Sequence, residues 1–127
     1  MKRKSEEFSV LELCPIRNVL DRFGDKWSIL VILILGQHEK PMRFTELMLG
    51  IGNVSQKMLT VTLRTLESDG LLLRKHYPEI PPRVEYELTE MGQSLMPHIN
   101  GLVSWADKHF DAIMKARKRS AAKKQLA

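Results

Sequence analysis

The sequence predicts a mainly α-helical domain that carries one small antiparallel β-hairpin, an α+β arrangement weighted to helix. Three observations predict it. Apolar residues recur at spacings of three and four along most of the chain, the period of a helix with one buried stripe. Val84-Glu85-Tyr86-Glu87-Leu88 alternates apolar and charged instead, the period of a half-buried strand. Between it and an earlier strand-like run stands Pro78-Glu79-Ile80-Pro81-Pro82, a stiff connection whose prolines cannot join a ladder.

Each element has a local reason. Residues 1–13 read as an arm with a few apolar anchors, Phe8, Leu11 and Leu13. Pro15 suits the first turn of a helix, and Ile16, Val19, Leu20 and Phe23 give that helix one apolar stripe. Gly24 stops it and Asp25 is the expected N-cap of the next helix, Lys26 to about Leu35. This second run is apolar on nearly all sides, which predicts burial. Its β-branched residues also suit a strand, but its length and cap favour a helix. Gly36 to Pro41 is a turn, Met42-Arg43-Phe44 a short extended piece, and Thr45 to Leu49 a short helix. Gly50-Ile51-Gly52-Asn53 is turn chemistry. Ser55 is a good N-cap for a helix to about Ser68, and Gly70 suits its C-terminal turn. Leu71–Tyr77 and Arg83–Leu88 are the two strands. Thr89 caps one last long helix with Leu95, Ile99, Leu102, Ala106 and Ile113 on a single stripe. Val103, Trp105 and Phe110 widen that stripe beyond what one small core needs. Helix, turn, helix and then a β-hairpin is the winged helix-turn-helix order. The expected division is an arm 1–13, a domain 14–114 and a basic tail 115–127.

Composition narrows the class. The 127 residues are 43% hydrophobic, enough for one globular core. The longest apolar run, Ile29 to Leu35, has seven residues, far short of the about 17 that a spanning helix needs. No apolar core follows the basic start, so no signal peptide and a cytoplasmic location are expected. One cysteine excludes an intramolecular disulfide framework. His38, His76, His98 and His109 lack metal-ligand spacing. No nucleotide loop or serine-nucleophile motif appears, so neither cofactor, metal nor catalysis is expected. The net charge of +5 is misleading as evidence for a polyanionic partner. Residues 1–14 hold three basic and three acidic side chains, residues 15–110 eleven of each, and residues 111–127 six basic and one acidic. The whole surplus lies in the tail.

Placement says more than the total. On the helix opened by Ser55, Leu59, Leu63 and Leu66 share one face, and Lys57, Thr60, Val61, Arg64 and Ser68 lie opposite, with Gln56 on the shoulder. Gln can bond adenine, Lys or Arg can bond guanine, and Thr or Val can touch a thymine methyl. Ser55 and the first free N–H groups suit a phosphate. An ordinary solvated face is the alternative for the arc alone. The turn before it and the hairpin after it favour double-stranded DNA. Arg74, Lys75 and His76 flank the proline loop on one strand, where some are expected to contact phosphates, and Arg83 sits where the loop re-enters the other. Lys75 and Arg83 are the wing's chosen candidates, for backbone and minor groove. A salt bridge from Arg83 to Glu79 or Glu85 is its competing role. A module that binds a protein through the same arc is the alternative function.

Several segments together resemble the HxlR-type regulators: Cys14-Pro15, Gly24-Asp25-Lys26-Trp27, Arg43-Phe44-Thr45-Glu46-Leu47, Ser55-Gln56-Lys57-Met58-Leu59-Thr60 and Asp69-Gly70-Leu71. The fullest match is Tyr77-Pro78-Glu79-Ile80-Pro81-Pro82-Arg83-Val84-Glu85-Tyr86, followed by Leu88-Thr89 and Gly92. The resemblance spans about residues 14 to 105. It implies a bacterial winged-helix transcription factor related to the MarR group, a homodimer on a palindromic operator, with the first and last helices as the dimer interface. Leu95, Ile99, Leu102, Trp105, Ala106 and Phe110 are the interface candidates. Some such regulators carry a sensing cysteine just before the first helix, which makes Cys14 the candidate redox sensor. A small buried hydrophobe is the competing role for Cys14.

Overall fold

The computed structural model describes residues 15–22 and 26–126. The arm, Cys14, and the expected stop and cap at Gly24 and Asp25 lie outside the described residues. The chain divides into two compact units, Met1–Ser94 and Leu95–Ala127.

In the first unit the order is α1 (Pro15–Arg22), α2 (Lys26–Gln37), β1 (Met42–Arg43), α3 (Phe44–Ile51), α4 (Gln56–Ser68), β2 (Leu72–Tyr77), β3 (Arg83–Leu88) and α5 (Glu90–Ser94). The long apolar run is a helix, and its all-round apolar character has its reason in burial. Val31 and Ile32 are fully buried, Leu35 nearly so. α2 packs against α3, α4 and β3. Leu47 of α3, Leu59, Leu63 and Leu66 of α4, and Leu72, Tyr86 and Leu88 of the hairpin complete this core. Removing one such Leu side chain costs about 2–5 kcal/mol, because transfer and cavity terms add.

The extended piece Met42–Arg43 is a third strand. It pairs antiparallel with β3, Met42 opposite Tyr86 and Arg43 opposite Glu85, so the sheet order is β1-β3-β2. In the hairpin Leu72 faces Leu88, Arg74 faces Tyr86, and Tyr77 faces Arg83.

The α3–α4 connection is the turn of the helix-turn-helix. α3 starts with Arg43 N–H donating to Glu46 Oε1 at 2.8 Å. Gly52 (φ +70°) and Asn53 (φ +49°) reverse the chain, in the left-handed region that Gly and Asn tolerate best. Ser55 Oγ then accepts the Met58 N–H at 3.0 Å and opens α4. At the far end Gly70 takes φ +78°. Its N–H reaches the Glu67 carbonyl and the Leu71 N–H reaches the Leu66 carbonyl, a full Schellman closure. Both ends of α4 are therefore fixed by local chemistry.

Thr89 ties the hairpin to α5. Its hydroxyl donates to the Gly70 carbonyl at 2.6 Å and accepts the Gly92 N–H at 3.1 Å. The single long helix expected after Thr89 is instead two helices. Pro97 cannot donate to the Gln93 carbonyl and its ring crowds that position, so α5 ends at Ser94. The chain restarts from Leu95, whose carbonyl accepts the N–H groups of His98 and Ile99. Pro97 then sits in a first turn, where no N–H is missed.

The second unit is built on α6 (Met96–Leu126), 31 residues long and so roughly 46 Å. The basic end is part of this helix. Trp105 stacks on His109 with centroids 4.7 Å apart, and His109 Nδ1 bonds the Trp105 carbonyl at 2.9 Å. No described helix is long and apolar enough to cross a membrane.

Candidate nucleic-acid interface

The amphipathic pattern of α4 translates directly into burial. Leu59, Leu63 and Leu66 are inside, while Gln56, Lys57, Val61, Arg64 and Ser68 are exposed or half-exposed and Thr60 half-exposed. Thr62, between the two faces, is buried and donates to the Met58 carbonyl at 2.8 Å. The exposed arc has no acid before Glu67. Gln56, Lys57, Thr60, Val61 and Arg64 line one shallow depression along it. Thr60 is held by a bond from its hydroxyl to the Gln56 carbonyl, 2.8 Å long, which leaves its methyl and oxygen lone pairs at the surface. Ser55 is exposed at the N-terminus of the helix. The N–H groups there lack intrahelical partners and carry the positive end of the dipole.

A second feature lies between α4 and the hairpin. Phe44, Gln56, Thr60, Leu63, Arg64, Glu67, Arg74 and Tyr86 line a cleft of about 470 Å³. Tyr86 and Leu63 are buried, so the apolar side chains form its floor. Arg64 and Arg74 bring positive charge to it from a helix and from a strand.

Strand parity decides which wing residues share this cleft. Leu72, Arg74, His76, Val84, Tyr86 and Leu88 occupy one face of the hairpin, the face toward α4. Leu73, Lys75, Tyr77, Arg83, Glu85 and Glu87 occupy the other. The two wing candidates of the sequence, Lys75 and Arg83, are thus turned away from α4 and are paired with acids. Lys75 Nζ lies 2.7 Å from Glu87 Oε1. That hydrogen bond and the charge of Glu87 raise the Lys75 pKa. Arg83 Nη1 is 3.6 Å from Glu85 Oε2, and its Nε is 3.2 Å from Glu79 Oε2. The Nε N–H makes no hydrogen bond, so the Glu79 contact is Coulombic. The Arg83 guanidinium also sits 3.9 Å from the Tyr77 ring centre, a cation–π contact that closes the base of the proline loop. Of the loop-flanking Arg74, Lys75 and His76, Arg74 is the one whose side chain lines the cleft. Its signal is that it shares parity with Leu72 and, through the register, with Tyr86.

Among the described residues no cluster of three metal-ligating side chains exists.

Known proteins show the same architecture. The model of the HxlR-like helix-turn-helix family matches residues 22–114. An uncharacterised HTH-type transcriptional regulator of Methanothermobacter thermautotrophicus is 45% identical over 93 residues, 73% of this chain and 70% of that one. YtfH from Salmonella typhimurium, described as a transcriptional regulator, superimposes with a TM-score of 0.74 at 36% identity, over 84% of this chain and 94% of its own. The redox regulator HypR in its reduced form gives a TM-score of 0.73 at 33% identity, over 80% of this chain and 99% of its own. Sequence and geometry agree over the helix-turn-helix and the hairpin alike, and the chain belongs to the HxlR-like helix-turn-helix family of winged-helix transcriptional regulators.

Proposed function

We propose that the protein acts as a homodimer that binds a palindromic DNA operator by laying α4 of each copy in the major groove. The observation that carries this reading is the outward arc of α4: Gln56, Lys57, Thr60, Val61 and Arg64 together at the surface, with base-reading chemistry and no acid among them. Ser55 and the free N–H groups beside it hold a backbone phosphate and set the helix in register.

The dimer is supported by apolar surface that a lone chain leaves in water. Ile16, Val19 and Leu20 of α1 are more than half exposed, as are Leu102, Trp105 and Phe110 of α6. Ala106 is exposed between them and Leu95 is half-buried, while Ile99 is buried at 5% exposure. Exposed apolar surface of this kind, on α1 and on α6 each taken by itself, marks a protein interface more often than a free surface. A two-fold dimer presents two reading helices to half-sites about 34 Å apart.

A thiol signal is a further part of this reading. Cys14 is the chain's one cysteine, and the related HypR is a redox regulator solved in reduced and oxidised forms. Cys14 exchanges with a small-molecule disulfide, forming a mixed disulfide and releasing the other half as a thiol, or a peroxide oxidises the Cys14 thiols of two copies to one disulfide and is itself reduced with release of water. Either product alters the operator affinity. Alkylating the thiol with no change in that affinity removes this part alone.

Footprinting on the DNA upstream of the protein's own gene tests the main reading. One protected, two-fold symmetric site with a steep salt dependence is expected. Binding indifferent to sequence and salt would instead make the arc of α4 a surface for another protein.

A further inference from the structure

We infer that the cleft between α4 and the wing seats one phosphodiester strand of the DNA, and that Arg74 is the wing's electrostatic contact with it. This rests on the reading that α4 enters the major groove. The backbone that borders that groove must then pass the side of α4 that faces the hairpin. That side is an open cleft of about 470 Å³ over Phe44, Leu63 and Tyr86, in which Arg74 is the cation of the wing side and Glu67 the one acid, while Gln56, Thr60 and Arg64 on the helix side belong to the base-reading arc.

The charge pattern on the two faces of the hairpin separates their duties. Lys75 is held by Glu87, and Arg83 by Glu79, Glu85 and the Tyr77 ring. That outer face carries two cations and two acids on its strands, plus Glu79 from the loop, so it has no net attraction for a phosphate. Arg74 is exposed on the inner face and makes no ion pair with a described residue. Its guanidinium is free to form a bidentate pair with a phosphate without first breaking a contact. Lys75 and Arg83 are struts that keep the strands in register and the proline loop extended.

The test is a salt titration of the full-length protein with a mixed-sequence DNA duplex, since a phosphate contact does not depend on sequence. Each neutralised phosphate contributes about 0.9 to the slope of log K against log salt. Arg74→Ala is expected to flatten the slope by about that amount per protomer, Arg74→Lys to restore it, and Lys75→Ala to leave it at the wild-type value. Circular dichroism on each variant confirms the fold. If the wild type binds with a salt slope and Arg74→Ala keeps that slope, this assignment fails while the DNA reading stands. The same holds if Lys75→Ala flattens the slope as much as Arg74→Ala. If the wild type shows no salt-dependent binding, the DNA reading itself fails.

Discussion

Ser55, Gly70 and Gly92 are small residues with large structural consequences, and each acts through the backbone. Ser55 supplies the side-chain cap for a first-turn N–H of α4, so Ser55→Ala is expected to cost about 1 kcal/mol in a denaturant titration. Gly92 lies so close to the β2 entry that an added Cβ would stand 2.1 Å from the Leu71 carbonyl oxygen. Gly92→Ala is therefore expected to destabilise by about 1–3 kcal/mol, read as a lowered Tm, whereas an unchanged Tm would show that the turn can retreat. The caps at Ser55 and Gly70 are legible in the sequence because a cap is a property of four or five consecutive residues. The need for glycine at position 92 is not, because it depends on a carbonyl twenty-one positions away along the chain. Arg74 is a candidate in the sequence but is not distinguishable there from Lys75, for a related reason. Its charge is plain in the sequence, but the face it occupies follows from its pairing with Tyr86.

At the scale of elements, α2 and α6 show two kinds of ambiguity. The run Ile29–Leu35 is compatible with a strand or a helix by composition. Helix prevails because twelve residues from Lys26 to Gln37 bring apolar side chains to α3, α4 and β3 together. The last helix is legible as a stripe, yet its break is not, since Pro97 reads equally as an interruption or as a first-turn residue. The excess apolar surface on α6 gives the clearest prediction at this scale. Trp105→Glu combined with Phe110→Glu replaces two half-exposed aromatic side chains by charges. The expected result is a monomer by light scattering with unchanged helicity by circular dichroism. A wild-type dimer mass in that variant would move the interface elsewhere.

For the molecule as a whole, the balance of charge assigns different tasks to different regions. The net +5 of the chain sits in the last seventeen residues, and no acid follows Asp111. The segment from Pro41 to Leu88 holds six basic and six acidic side chains, so attraction there depends on placement. Acids neutralise the outer wing, while the arc of α4 and the inner wing keep their cations. Removal of residues 115–127 is expected to weaken binding to all DNA alike, as counterion release requires, and to leave the preference for one sequence intact. A lost preference would mean that the end of α6 takes part in reading.

The central claim is that the outward arc of α4 reads bases, and Arg64 tests it most directly. The measurement is the dissociation constant of wild type and Arg64→Ala for the footprinted site and for a scrambled duplex at one fixed salt concentration. The account predicts a loss of about 1–3 kcal/mol on the specific site with little change on the scrambled one. An equal loss on both duplexes would contradict it and make Arg64 a backbone contact.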